Sequence, residues 1–167
     1  MTLSRHQIKD DGRSSSVKEA SVTALQTDAL ELTELWSETD PDRRARFNFP
    51  ISLETGAAST AVVYFEVPPG KHLGQHTDSA EEVLFIRSGR AEAVVGEERL
   101  TVAAGGLALV PAMVPHDVIN VGDEPVQVVG FFSSSTVISV FDEPFAPIDA
   151  KVFVTPPVDQ PEPAAPA

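Results

Sequence analysis

Imidazole and carboxylate side chains are concentrated in the middle of this sequence. His76 is followed within seven residues by Asp78 and Glu82, and His116 lies further along the same segment. Imidazole and carboxylate together suit borderline divalent metals such as iron(II), manganese, nickel or zinc. A single histidine on a strand is more often structural, so these residue types alone leave a structural role and a metal site both open.

Short runs rich in β-branched and aromatic residues surround these side chains. The runs are TAVVYFEV, EVLFIR, AEAVV, RLTV, LALV, VQVVGFF and TVISVF. Glycine-, proline- and aspartate-containing turns separate them, and no helix-length pattern interrupts residues 47–141. Many short strands with turn signals between them indicate an all-β sandwich or barrel.

Strand alternation predicts what accompanies each polar side chain. If Glu82 points inward, Leu84 and Ile86 share its face, and an inward His116 brings Val118 to the same side. Glu81 should then face solvent. Two strands would each present one polar group to a cavity walled by apolar side chains, which is an arrangement that suits a small organic ligand.

Two stretches of the chain resemble the paired signature motifs of the cupin superfamily. The first, GKHLGQHTDSAEEVLFIRSG at 70–89, matches at Gly70, His76, Glu82 and Gly89, with Asp78 where the second histidine belongs. The second, GGLALVPAMVPHDVIN at 105–120, matches at four positions, with methionine in place of the middle glycine. Those four are Gly105, Pro111, His116 and Asn120. The resemblance covers about residues 47–145.

Resemblance to cupins implies a small antiparallel β-barrel of jelly-roll type with a metal inside one end. It implies ligands at His76, Glu82 and His116, and one divalent transition metal, Fe2+, Mn2+, Ni2+ or Zn2+. An extended backbone would aim Asp78 at the same cavity as His76, so we predict that Asp78 is a further ligand.

The ligand set keeps two alternatives. If Asp78 belongs only to a turn, His76, Glu82 and His116 form a two-histidine, one-carboxylate set with open positions, which suits non-haem iron(II). His72 is a possible replacement imidazole if its loop is mobile, although a solvated loop histidine is the simpler interpretation.

Composition excludes several function classes. Twelve basic and 25 acidic residues give a net charge of −13, which disfavours nucleic acid and anionic membrane surfaces as partners. The absence of cysteine excludes a disulfide framework, a thiolate metal site and a cysteine nucleophile. The N-terminal stretch has no apolar run of signal-peptide length, so we expect a cytoplasmic protein.

The chain divides into four segments by composition. We predict a polar, flexible arm over 1–26, a short helix and linker over 27–46, the β-barrel over 47–150 and a Pro/Ala-rich flexible tail over 151–167. The helix would be ALELTELWSE, and its apolar face needs a cover. For that reason, and because barrels of this family commonly pair, we predict a homodimer.

Fold alone does not decide function, because cupins include dioxygenases, isomerases, decarboxylases and non-catalytic binding proteins. The leading hypothesis is a metal-dependent oxidoreductase that resembles the one-domain quercetin dioxygenase-like cupins and acts on a small organic molecule. In it Glu82 is both ligand and catalytic base. The alternatives are a non-catalytic metal- or ligand-binding protein and a metal-assisted isomerase or lyase on a sugar or keto acid.

Overall fold

Two six-stranded antiparallel sheets make up almost all of the structure. The computed structural model describes residues 24–157, and the strand bounds below refer to those residues. The strands are β1 Thr33–Trp36, β2 Arg44–Ile51, β3 Ala61–Val67, β4 His76–Asp78, β5 Glu82–Ser88, β6 Arg90–Val95, β7 Glu98–Ala103, β8 Leu107–Val110, β9 His116–Asn120, β10 Val126–Phe132, β11 Val137–Phe145 and β12 Ala150–Thr155. The prediction of an all-β fold of antiparallel strands is confirmed.

The strand order places distant parts of the chain side by side. One sheet has the order β1-β2-β3-β10-β5-β8 and the other β12-β11-β4-β9-β6-β7. Strand burial alternates as the period of two requires; along β5, for example, Glu82, Leu84 and Ile86 are buried and Val83 and Phe85 are not. Buried residues of both sheets form one hydrophobic cluster, which is the core of a jelly roll built from two sheets.

The motif glycines occupy backbone positions that other residues avoid. Gly70, Gly89 and Gly105 all have positive φ, between 70° and 84°. Met113 stands where the family motif has its fourth glycine, and it also adopts a positive φ, of 64°. The turn therefore keeps the left-handed geometry although a side chain is present, a conformation that disfavours non-glycine residues.

The predicted N-terminal helix is reduced to one turn. Thr27–Ala29 form a single 3-10 turn, and Thr33–Trp36, which the sequence pattern assigned to the same helix, form strand β1. β1 pairs antiparallel with β2, where Leu35 lies opposite Ala45 and both are buried. Pairing with β2 outweighs the weak helical preference of an isolated segment of this length.

Both predicted boundaries of the domain shift outward. β2 begins at Arg44 rather than 47, and β12 continues to Thr155, so residues 151–155 form a strand and not a flexible tail. The rest of the predicted tail, from 158, and the arm over 1–23 with His6 lie outside the described residues. Within residues 24–157, no helix is long and apolar enough to cross a membrane.

Candidate metal site and cavity

Strand register brings the four predicted ligand residues together. β4 lies between β9 and β11, and the cross-strand partner of His76 on β9 is His116. Asp78 follows two residues later on the same face of β4, and Glu82 begins β5 in the opposite sheet. All four side chains are buried, with exposures of 7% for His76, 2% for Asp78 and His116, and 3% for Glu82.

Hydrogen bonds to backbone carbonyls orient both imidazoles. Nδ1 of His76 lies 2.8 Å from the carbonyl oxygen of Gly74, and Nδ1 of His116 lies 2.9 Å from that of Val114. Because a carbonyl only accepts hydrogen bonds, each Nδ1 must carry the proton. In the neutral ring, Nε2 then keeps a free lone pair. Metal-binding histidines have this tautomer when a second group accepts a hydrogen bond from Nδ1–H.

The Nε2 atoms face the carboxylates across short distances. Oδ2 of Asp78 lies 3.6 Å from Nε2 of His76 and 3.2 Å from Nε2 of His116, and Oε2 of Glu82 lies 3.7 Å from Nε2 of His116. Among the described residues, three buried side-chain atoms have no hydrogen-bond partner: Arg43 Nε, outside the cluster, and Asp78 Oδ2 and His116 Nε2, which face each other within it. Buried polar atoms normally have partners, so these two atoms mark a place for a cation. His76, Asp78 and His116 form a group that can hold a metal ion.

Burial and the charges within the cluster shift the pKa values of the two histidines in opposite directions. Burial and the nearby charge of His116 lower the pKa of His76 to about 4. Burial also opposes charge on His116, but Asp78 outweighs it and raises the pKa of His116. Burial likewise opposes charge on Asp78, and His116, His76 and Ser139 together outweigh it and lower the pKa of Asp78.

Asp78 is held in place by Ser139 of β11. The Ser139 hydroxyl donates a hydrogen bond to Asp78 Oδ1, and the two residues are cross-strand partners. Since Oδ1 is occupied by Ser139, Oδ2 is the atom directed at the two imidazoles. The sequence run TVISVF does not single out Ser139, because its alternation is the same for any serine on a strand, whether or not that serine supports a ligand.

Glu82 fits against a glycine of the neighbouring strand. A Cβ at Gly130 would lie 2.0 Å from Glu82 Oε1 and 2.7 Å from Val63 Cγ1. Burial, together with the negative charge of Asp78, raises the pKa of Glu82 to about 8. A carboxyl group with that pKa can hold or release a proton near neutral pH.

An aromatic cavity of about 260 Å³ opens from the cluster. Seven of the nine phenylalanines in the chain line it, and we call this set the phenylalanine wall. The members are Phe47, Phe49, Phe65, Phe132, Phe141, Phe145 and Phe153. Phe141 stacks on His76 with ring centroids 4.4 Å apart, so the wall is continuous with the cluster.

His72 lies outside this cavity and is held by two carboxylates. Its Nδ1 is 2.7 Å from Asp117 Oδ2 and its Nε2 is 2.9 Å from Asp40 Oδ2. Neither ring nitrogen is free, so the alternative that His72 completes the ligand set is wrong for this conformation. Glu81 is exposed, as the strand alternation predicts.

Comparison with protein families identifies the fold. Residues 63–132, which include all four cluster residues, match the family described as the cupin domain. The chain carries a cupin domain. A search of curated proteins found no match.

Solved structures similar to this cupin domain include enzymes and a cupin-2 domain. An oxalate decarboxylase from Lactobacillus farciminis has a TM-score of 0.58 at 19% identity, covering 66% of this chain and 33% of that one. The polyketide cyclase RemF from Streptomyces resistomycificus has a TM-score of 0.55 at 14% identity over 67% of this chain and 79% of that one. A cupin-2 domain protein from Rhodospirillum rubrum has a TM-score of 0.57 at 22% identity, over 66% and 74% of the two chains.

These likenesses establish the fold of this cupin and not its reaction. The chain spans 28% of one oxalate decarboxylase and 33% of another. The quercetin dioxygenase-like subgroup, the homodimer and the cytoplasmic location stay predictions.

The two further motif positions of the cupin domain are structural. Asn120 is buried, and its side-chain amide donates to the carbonyl oxygens of Val67 and Glu124, which tie the end of β9 to β3 and to the following turn. The amide of Met113 donates to the carbonyl oxygen of Asp78. These contacts hold the strands that carry the cluster and do not reach the cavity.

Proposed function

We propose that this cupin is a metal-dependent enzyme that acts on a small organic molecule in the cavity. Its ligands are His76, Asp78 and His116, and Glu82 is a fourth ligand, a proton acceptor or both. The observation that carries the proposal is the convergence of two Nε2 lone pairs on two buried carboxylates, with Asp78 Oδ2 and His116 Nε2 unpartnered. A divalent ion would satisfy His76, Asp78 and His116 at once, with Glu82 beside them.

In the proposed site, different residues orient the metal ligands, hold a proton and surround the substrate. A bound divalent ion would supply a Lewis acid next to the substrate. Gly74 and Val114 orient the imidazoles through their carbonyl oxygens, and Ser139 orients Asp78. Glu82 lines the cavity and holds or accepts a proton, as its pKa of about 8 permits. The phenylalanine wall excludes water from the reacting groups.

Among reaction classes we favour oxygenation. Two imidazoles and one carboxylate are the ligand set that non-haem iron(II) oxygenases use, and they leave coordination positions open. His76, Asp78 and His116 supply that set. The rival reactions are a metal-assisted lyase or isomerase step, and the rival role is ligand binding without turnover.

Metal content tests the site. Protein purified without a chelating tag should contain one divalent ion per chain, because the cluster offers one cation position. His76→Ala and His116→Ala should each lose the ion, whereas His72→Ala should keep it, since both ring nitrogens of His72 already face carboxylates. Elemental analysis measures this. A full complement of metal in both cluster variants would contradict the assignment.

Oxygen uptake tests the reaction. Protein loaded with iron(II) should consume oxygen with a member of a panel of phenolic and diketone compounds, and Glu82→Gln should slow that uptake while metal content is measured in parallel. An oxygen electrode gives the rate. A protein that contains only zinc and consumes no oxygen would favour the lyase, isomerase or binding alternatives.

A further inference from the structure

The phenylalanine wall offers both faces and edges of aromatic rings to a ligand. Phe153 meets Phe47, Phe141 and Phe145 edge-on, with centroids 5.5 to 6.4 Å apart, and Phe49 stacks on Phe132 at 6.2 Å. Edge-to-face and offset-stacked pairs are the favoured aromatic arrangements, and each contributes beyond the area it buries. A flat ring between these side chains would therefore gain contacts that a saturated ligand of the same size does not.

The charges around the cavity disfavour an anion. Its acidic lining residues are Glu54, Asp78 and Glu82, and no lysine or arginine of residues 24–157 is among the residues that line it. A carboxylate ligand would lose its hydration without a cationic side chain to replace the water.

Arg43 is the cation that approaches the wall, and it is already engaged. Its guanidinium carbon lies 4.1 Å from the ring centroid of Phe145 and 5.3 Å from that of Phe141. One terminal nitrogen donates to the carbonyl oxygen of Glu143 at 2.9 Å, and the other lies 3.4 Å from the Asp142 carboxylate. The side chain is 2% exposed and does not line the cavity, so the rings separate its charge from a ligand.

We infer that the ligand of this cavity is an uncharged aromatic molecule of one or two rings that carries a hydroxyl or carbonyl oxygen. This rests on the proposed function, because the oxygen points to the metal cluster while the ring lies against the phenylalanine wall. The cavity volume of about 260 Å³ agrees, since a cavity of the order of 150 Å³ holds benzene. Small dicarboxylates such as oxalate do not fit this chemistry.

Three probes of matched shape test the inference on the wild-type protein. They are 2-naphthol, 2-naphthoate, which adds a negative charge, and decahydro-2-naphthol, which removes aromaticity. Isothermal titration calorimetry with the zinc-loaded protein should show 2-naphthol binding about ten-fold or more tightly than either of the others. Equal or tighter binding of 2-naphthoate, or of oxalate, would overturn the inference.

A pair of phenylalanine variants tests where the probe binds. Phe153→Leu should weaken 2-naphthol binding by about three- to ten-fold, because it removes a ring that meets three others. Phe131→Leu is the control, since Phe131 is exposed on the outer face of its sheet and does not line the cavity. If Phe131→Leu weakens binding as much as Phe153→Leu does, the inferred position is wrong.

Metal content, measured on the same samples, separates this inference from the proposed function. Naphthol preference without any bound metal would contradict the function and leave the aromatic ligand standing. Bound metal with a preference for carboxylates would contradict the inference and leave the function standing. The wild-type probe series decides even if Phe153→Leu does not fold.

Discussion

Asp78 is the residue at which this chain departs from its family pattern, and its surroundings account for the change. The Ser139 hydroxyl binds one carboxylate oxygen, and the other faces the two imidazoles. A carboxylate in place of an imidazole adds a negative charge to the cluster and favours harder, oxygen-preferring ions. The serine and the aspartate are therefore best regarded as one unit, contributed by two paired strands.

Replacing Ser139 should reveal whether Asp78 binds the metal. Ser139→Ala frees Asp78 Oδ1, so we expect metal affinity to fall about ten-fold, the lower end of the effect of losing a residue that supports a ligand. Ser135→Ala is the matched control, because Ser135 is also buried but its hydroxyl donates to the carbonyl oxygen of Ala58. Competition with a chelator dye measures both affinities. If Ser139→Ala binds the metal with unchanged affinity, Asp78 has a structural role in the turn and is not a ligand.

We predict that position 130 must be glycine because a larger side chain would collide with Glu82, and not because strand β10 needs a glycine there. Gly130→Ala places a methyl group 2.0 Å from Glu82 Oε1, so we expect a loss of about 1–3 kcal/mol in the free energy of unfolding and a displaced Glu82. Adding Glu82→Asp, which shortens the side chain, should recover part of that stability. Urea unfolding of the single and double variants gives the coupling between the two positions.

The control for Gly130 is Gly122→Ala, where an added Cβ would meet nothing nearer than 3.6 Å. We expect little change in stability there. If Glu82→Asp does not rescue Gly130→Ala, the conflict lies with Val63 and not with the carboxylate.

At the scale of elements, β4 matters more than its three residues suggest. It joins β9 to β11, and it carries His76 and Asp78 into register with His116 and Ser139. The loop before it is fastened to β9 through Asp117, whose carboxylate accepts hydrogen bonds from the amide of Gly74 and contacts His72. The position of His76 thus depends on the hydrogen bond between the Gly74 amide and Asp117.

The contact of His72 with two carboxylates predicts a pH dependence of stability. Its pKa is raised to about 9 by the hydrogen bond with Asp117, against burial, with Asp40 adding to the effect. The folded state therefore binds this proton more tightly than the unfolded chain, whose histidine pKa is about 6.5. The resulting stabilisation is complete below pH 6.5 and is lost as the pH rises through about 9.

We expect this loss to be of the order of 1–2 kcal/mol, less than the shift alone implies because the partners are partly exposed. Urea unfolding between pH 6 and 10, with a chelator present, measures it, and His72→Gln should flatten the profile. The chelator is needed because proton competition at metal-binding histidines acts in the opposite direction. An equal decline in His72→Gln would mean that other groups cause it.

At the scale of the whole molecule, the outer face of the first sheet is unusually apolar. Cross-strand pairing aligns Phe131 with Val83 and Leu109, and Val129 with Phe85 and Leu107. We call these six residues the outer strip. Leu107, Leu109 and Phe131 are 65%, 56% and 46% exposed, and β8 is the edge strand. Exposed apolar surface on an edge strand favours association with another sheet.

The outer strip therefore replaces the apolar face of residues 29–38 as the expected interface of the predicted homodimer. Leu35 of the segment first considered is buried within its own chain, so we expect a dimer to form through the outer strip instead. Leu109→Glu should yield a monomer by light scattering at micromolar concentration. Val152→Glu is the control, because Val152 is 53% exposed on the other sheet. A wild-type monomer, or dissociation only by Val152→Glu, would contradict this interface.

Local pattern determined a large part of this protein. Alternation and turn residues specify seven of the twelve strands, β3, β5 to β8, β10 and β11, within about four residues of their bounds, because both signals are properties of neighbouring residues. Resemblance to the cupin motifs implied His76, Glu82 and His116 as ligands, whereas strand periodicity by itself indicates only which neighbouring side chains share a face.

Tertiary structure decided the rest, because it depends on pairing between distant segments. Thr33–Trp36 is a strand only because β2 lies beside it. The phenylalanine wall is assembled from β2, β3, β10, β11 and β12, and Ser139 reaches Asp78 across 61 residues of chain. The hydrogen bonds that keep His72 out of the cavity likewise come from Asp40 and Asp117, which are 32 and 45 residues away in the chain. No local pattern encodes such contacts, since sheet order and register arise only when the whole core packs.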